Sequence, residues 1–138
     1  MYRGRIRSKK ELVEFVLKLL KGKKEIPDFI TSNRELSKIF LRIFFGAEGS
    51  ISIDRKYPKI EISTTTKKLQ EQLQQMLLSL GIRSRIYSNG IHIREKESVK
   101  RFIKEIGVAP VFRIGRGKFA GMKKVDVLNF YLKYMSSH

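Results

Sequence analysis

Apolar residues recur along this chain with two spacings, one near 3.6 residues and one of two, which divide it into helices and strands. The helical spacing appears first in Leu12, Val13, Phe15, Val16, Leu17, Leu19 and Leu20, after Ser8 and before Lys21-Gly22. It predicts a helix over about residues 9–21. Glu25-Ile26-Pro27-Asp28-Phe29-Ile30 contains a proline and reads as an extended connector whose apolar side chains dock on the core. A second helix is expected from Ser32 or Asn33 through Leu36, Ile39, Phe40, Leu41, Ile43, Phe44 and Phe45, ending around Gly46 to Gly49. Its second half is apolar nearly all round, so two of its sides must be covered. One faces the sheet of its own domain, and a symmetry-related copy of the chain is the candidate for the other.

The spacing of two then takes over. Ser50-Ile51-Ser52-Ile53-Asp54 and Lys59-Ile60-Glu61-Ile62-Ser63, joined by Arg55-Lys56-Tyr57-Pro58, form an expected hairpin with Ile on one face. A third helix starts at Thr64-Thr65-Thr66, carries Leu69, Leu73, Met76, Leu77 and Leu80, and closes at Gly81. In the second expected hairpin Ile82, Ser84 and Ile86 point inward, Arg83, Arg85 and Tyr87 outward, and Ser88-Asn89-Gly90 turns into Ile91 and Ile93. A fourth helix follows with Val99, Phe102, Ile103 and Ile106, then Gly107. The predicted fold is α+β: a four-stranded antiparallel sheet with helices on one face in the order αββαββα. The core spans about residues 25–107 of a single domain of 138 residues, with the extra N-terminal helix before it. A basic extension over 108–138 follows, with a last helix near Lys124 to Met135.

Composition says what such a domain is for. Thirty Lys and Arg against thirteen Asp and Glu give a formal charge of +17, while 41% of residues are hydrophobic. A compact, strongly cationic fold points first to a polyanionic partner, nucleic acid above all. The cations are spread over helices, strands and loops, which argues against one polybasic helix lying on a membrane. No stretch approaches the roughly 20 apolar residues of a membrane span, and a cytoplasmic, nucleoid-associated location is expected. The absence of Cys excludes disulfides, thiolate metal sites and Cys nucleophiles, and two His are too few for a histidine metal cluster.

The sheet face away from the helices collects Ser50, Ser52, Asp54, Lys59, Glu61, Ser63, Arg83, Arg85, Tyr87, His92 and Arg94. That polar, partly basic set suits a DNA major groove, with Arg55 and Lys56 at the hairpin tip. A solvated face, common in antiparallel sheets, is the other reading of the same alternation. Arg113-Ile114-Gly115-Arg116-Gly117-Lys118 is a glycine-rich cationic run. It lacks the Gly-Lys-Ser/Thr ending of a nucleotide-binding loop, so Arg113, Arg116 and Lys118 are expected on nucleic-acid backbone.

The second helix ends in Leu41-Arg42-Ile43-Phe44-Phe45-Gly46-Ala47-Glu48-Gly49 and runs directly into a strand. This resembles the LAGLIDADG motif of homing endonucleases and of related intein and intron maturase domains. Leu41 falls on its first Leu, Glu48 on its second acid and Gly49 on its last Gly. Gly46 stands at the motif's first Asp, and Ile43 at a position where a small residue lets two such helices approach. The lead-in Ile26-Pro27-Asp28-Phe29-Ile30, the Leu80-Gly81-Ile82 helix end and Ile91 to Val99 also resemble the family.

The resemblance implies a homodimeric, site-specific, double-stranded DNA endonuclease. Two copies would pair through the Leu41–Gly49 helix, with Ile39, Leu41, Arg42, Phe45 and Gly46 in the interface. Glu48, with Gly49, would hold Mg²⁺, whose preference is for hard oxygen ligands. The ion would polarise the phosphate and activate water, and Lys96, with Arg94 second, would stabilise developing charge. The alternative is a catalytically inactive member that binds nucleic acid, as a transcription regulator on DNA or a splicing cofactor on RNA.

Overall fold

The structure is a computed structural model and describes residues 25–54, 57–109, 111–115, 117 and 119–137, with Glu11, Glu14, Phe15 and Lys18. The rest of the helix expected over 9–21, and Arg55, Lys56, Arg116 and Lys118, lie outside the described residues, as does the side chain of Asp54. The fold is α+β. A short helical turn α1 (Asp28–Thr31) leads into α2 (Arg34–Glu48), then β1 (Gly49–Asp54), β2 (Tyr57–Ser63), α3 (Lys67–Ser79), β3 (Arg85–Tyr87), β4 (Gly90–Ile93), α4 (Lys96–Arg101) and α5 (Lys124–Ser137). The four strands form one sheet in the order β1-β2-β4-β3, every neighbouring pair antiparallel.

Local chemistry explains most of these boundaries. Asn33 caps α2 with its side chain, accepting from the Leu36 N–H at 3.0 Å, and so satisfies one of the free donors of the first turn. At the other end Gly49 is already extended, so helix and strand share a corner with no loop between them. Ile60 and Ile62 of β2 face Ile93 and Ile91 of β4 in register, all four fully buried beneath the helices. Around them Phe40, Phe44, Leu73, Leu77, Val99 and Phe102 complete the core.

Three details differ from the sequence reading. The lead-in is not wholly extended: Asp28–Thr31 makes one helical turn after Pro27, where a proline's missing N–H costs nothing. Its apolar residues do dock. Ile26 and Ile30 are buried, and the Gln72 amide pairs with both backbone groups of Ile26, at 2.7 and 2.9 Å. Second, β3 begins at Arg85 and not at Ile82, because other partners take the backbone before it. Ile82 N–H donates to Leu77, Arg83 N–H to the Ser98 hydroxyl, and Ser84 C=O accepts from Gln74. Third, the fourth helix widens into a π-helical turn over Phe102–Ile106, closed by Gly107 at φ 65°, a conformation glycine adopts freely. Among the described residues no helix is long and apolar enough to cross a membrane.

Candidate nucleic-acid interface and motif corner

Strand register assembles the outer sheet face row by row. Ser50 stands opposite Glu61, Glu61 opposite His92, and His92 opposite Arg85, so one line of polar side chains crosses all four strands. A second line runs from Ser52 to Lys59 toward Arg94 just beyond β4, and Ser63, Gly90 and Tyr87 make a third. Ser52, Ser63, Arg83, Arg85 and Arg94 are exposed, and Lys59, Glu61, Tyr87 and His92 are half-buried among them. Asp54 closes β1 opposite Tyr57. Arg83 lies at the margin, with its guanidinium 3.7 Å from Glu95. A groove of about 860 Å³ beside the short edge strand β3 continues this surface, lined by Arg83, Arg85, His92, Arg94 and Gln75.

The middle of the face is tightly knit. Lys59 Nζ lies 2.8 Å from the Glu61 carboxylate, and that hydrogen bond is the main cause holding the Glu61 pKa below its ordinary value. His92 stacks on Tyr87 with ring centroids 4.1 Å apart, and the Arg94 guanidinium lies 5.9 Å from the Tyr87 ring. Burial lowers the His92 pKa, and the attraction of Glu61 only partly opposes it, so the environment favours the neutral imidazole. Its Nδ1 is buried without a hydrogen-bond partner in the protein. The centre of the face thus offers an ammonium donor, a carboxylate acceptor and an imidazole side by side, the group types that read base edges.

The motif helix is arranged differently from the expectation. Leu41 and Phe45 are fully buried within one copy of the chain, and Ile43 nearly so. Phe45 meets the edge of Phe102, ring centroids 5.1 Å apart. Arg42 Nε donates to the Ile106 carbonyl at 2.8 Å, and Ile39 is half-buried against the core. Gly46 is covered by Phe112 so closely that an added Cβ would lie 2.1 Å from the ring. Of the interface expected from Ile39, Leu41, Arg42, Phe45 and Gly46, Leu41 and Phe45 have no exposed surface in a single copy of the chain, Gly46 is buried, and Ile39 and Arg42 are half-buried. Their contacts come from the helix's own chain, chiefly the π-helical turn and the 108–138 extension, which the periodicity of α2 alone does not reveal.

Phe112 and Lys124 form the two sides of a neck. Lys124 N–H donates to the Phe112 carbonyl at 2.9 Å, Arg113 and Lys123 form an isolated antiparallel bridge, and Ile114 N–H donates to Met122. The cationic glycine-rich loop is closed at this neck. Within it, the exposed Arg113 turns its guanidinium back onto the Gly121 carbonyl at 2.8 Å.

Glu48, the last residue of α2, is exposed. Lys96, expected to act with it, lies toward the far end of β1. Lys96 Nζ sits 5.7 Å from the Tyr57 ring, and Tyr57 pairs with Asp54 at the far end of β1. At about 3.3 Å of rise per residue, that end lies roughly 17 Å from Gly49. Lys124 occupies the corner instead: its Nζ donates to the Gly46 carbonyl at 2.9 Å and the Gly49 carbonyl at 2.7 Å. Burial lowers its pKa while the charge of Glu48 raises it. Sequence reasoning missed both Lys124 and Phe112, since neither belongs to a motif. Among the described residues no group of three or more Asp, Glu or His gathers as a metal-binding cluster.

Comparison with known proteins sets these features in context. The family described as "LAGLIDADG-like domain" matches residues 35–107, more than half of the chain. The DNA polymerase of Thermococcus sp. (strain GE8) is 29% identical over an alignment taking in 71% of this chain, and the DNA polymerase of Thermococcus hydrothermalis is 25% identical with the same coverage. The aligned part amounts to 7% of each polymerase's length.

Proposed function

From the premise that this chain belongs to the LAGLIDADG-like domain family, we propose that it recognises a specific duplex DNA site by laying its outer sheet face in the major groove. The observation that carries this is the continuous line Ser50, Glu61, His92 and Arg85, flanked by Lys59 and Arg94. The donors and acceptors of that line suit base edges, while a net charge of +17 supplies attraction to phosphate anywhere. An antiparallel sheet face fits the wide major groove of B-form DNA, whereas the major groove of A-form RNA is too deep and narrow to admit it. Arg113 and the neighbouring loop cations add contacts to the backbone.

The test is selection of binding sites from a randomised duplex pool, followed by affinity measurement at several salt concentrations. A recovered consensus, bound far more tightly than scrambled duplex and than structured RNA, is expected. Equal binding of every sequence, or preference for RNA, sinks the proposal.

A second reading, site-specific cleavage, is favoured by the exposed Glu48 carboxylate at the end of α2. The short alignment inside DNA polymerases also supports it, as a homing element lodged in a host chain would give such a match. That reading requires a divalent ion at Glu48 and a second copy of the chain that brings a second acid. Incubating the selected duplex with protein and Mg²⁺ separates the readings. Strand scission that disappears in Glu48→Gln establishes cleavage, and an intact duplex leaves recognition as the activity.

A further inference from the structure

The C-terminus of any helix is a negative pole: its last carbonyls lack N–H partners and together carry about half an electron charge. In α2 that pole falls on Gly46 to Gly49, and Glu48 adds a full negative charge to it. Lys124 answers both. Its ammonium has three N–H donors, and two are used on the Gly46 and Gly49 carbonyls at 2.9 and 2.7 Å. The charge lies 5.8 Å from the centre of the Phe45 ring. Nor does Lys124 reach the corner by chance of a long side chain alone. Its backbone N–H is tied to Phe112, whose ring lies on Gly46 of the same helix turn.

A divalent ion at this corner would need the same oxygens. Mg²⁺ takes six oxygen ligands at about 2.0–2.1 Å. This chain offers the Glu48 carboxylate and the Gly49 carbonyl, and the carbonyl already accepts from an ammonium. An ion bound to that oxygen would sit under about 5 Å from Lys124 Nζ, two like-charged groups sharing one lone-pair-bearing atom. The donor set therefore does not fit the metal that the family implies.

We propose that Lys124 is a built-in counter-ion that takes the place of the divalent metal at the end of the motif helix. The acidic corner is neutralised from within the chain, and contact between this domain and nucleic acid needs no metal. Lys124 acts here through the Gly46 and Gly49 carbonyls and through its charge near Glu48, as a positioning residue and not as a group that touches a reacting atom. The inference does not depend on which duplex is recognised.

The experiment is a Mn²⁺ titration of the DNA-free protein followed by electron paramagnetic resonance, which counts bound and free ion. Five proteins are compared: the full chain, a Glu48→Gln control, the single variants Lys124→Met and Lys124→Gln, and the double variant Lys124→Met with Glu48→Gln. The Gln variant keeps a donor for the carbonyls and removes only the charge, so it serves if the Met variant does not fold. Expected are no Glu48-dependent site in the unaltered chain at millimolar Mn²⁺, and one new site in each folded single variant, at least tenfold tighter. That site should vanish in the double variant. A stoichiometric Mn²⁺ site in the unaltered chain that Glu48→Gln abolishes overturns the proposal, and so do folded single variants that gain no site. Duplex binding, measured separately on the same proteins, reports on the sheet face alone, so failure there does not count for or against the counter-ion.

Discussion

The two ends of the motif region have opposite fates. At the outer sheet face, polar groups are drawn up in rows on the surface, with exposed Arg85 and Arg94 next to a half-buried Lys59, Glu61 and His92. At α2, most groups expected to meet another molecule are engaged within the chain: Leu41 and Phe45 by the core, Arg42 by Ile106, Gly46 by Phe112, and the Gly46 and Gly49 carbonyls by Lys124, while the Glu48 carboxylate stays exposed. The contrast teaches that family likeness and periodicity can mark two surfaces equally while the chain spends one of them on itself. What is left for a partner is the outer face, where exposed arginines surround a centre already paired within the sheet.

The comparison is broken most directly by removing charge from the open face. Replacing Lys59, Arg85 and Arg94 together by Ala should weaken duplex binding by roughly a hundredfold or more, at about 1–3 kcal/mol for a base contact, and flatten the salt dependence. Fluorescence anisotropy at three salt concentrations is sufficient, and an unchanged affinity would show that the open face is only solvated. Thermal stability should fall only modestly, through loss of the Lys59–Glu61 contact.

Next in size is an intrusion at the closed face. Gly46→Ala places a Cβ 2.1 Å from the Phe112 ring, and overpacking of this kind costs about 1–3 kcal/mol. Adding Phe112→Ala should recover part of that loss, a coupling that a double-mutant cycle under urea denaturation measures. Additive effects would mean that Phe112 does not press on the helix in solution. Duplex affinity should stay within about twofold of the starting protein, since the charges that set it lie elsewhere.

The smallest effect expected is a pH slope from the centre of the sheet. His92 has a folded pKa below its usual 6.5, chiefly through burial, so the unfolded chain binds its proton first. Its contribution to stability is present above about pH 6.5 and is lost as pH falls below that value. Glu61, held below 4.5 mainly by its hydrogen bond to Lys59, adds a further loss at more acid pH. Stability should thus decline from pH 7 toward pH 4, and His92→Gln should flatten the upper part of that decline. A slope that persists between pH 7 and 5.5 in this variant would assign it to another group.

Much of the architecture was legible because it rests on local alternation. Ile60, Ile62, Ile91 and Ile93 read as inward from the sequence and are buried in register, and the helix expected to begin at Ser32 or Asn33 is capped by Asn33. Inward pattern did not guarantee burial at the margins: Ile53 and Ile86 share the core face but remain 41% and 37% exposed, near a strand end and on an edge strand. The start of β3 was misplaced since Ser98, Gln74 and Leu77, all distant in sequence or on other elements, take the hydrogen bonds of residues 82–84. The closed face was illegible for a related reason. Gly46 to Phe112 and Gly49 to Lys124 are contacts between segments more than sixty residues apart, and no periodicity links them. Lys96 attracted attention by its place after β4, yet the corner cation comes from the start of α5.

Filling the flank of α2 from the same polypeptide also decides how the fold answers to dilution. A seam shared by two molecules weakens as they become scarce, because mass action pulls them apart. Here the groove is occupied by a segment tethered to it through the backbone, at a local concentration that no buffer volume alters. The melting temperature should then be the same at nanomolar and at millimolar protein, since the apolar side chains of the helix are already covered within a single copy of the chain.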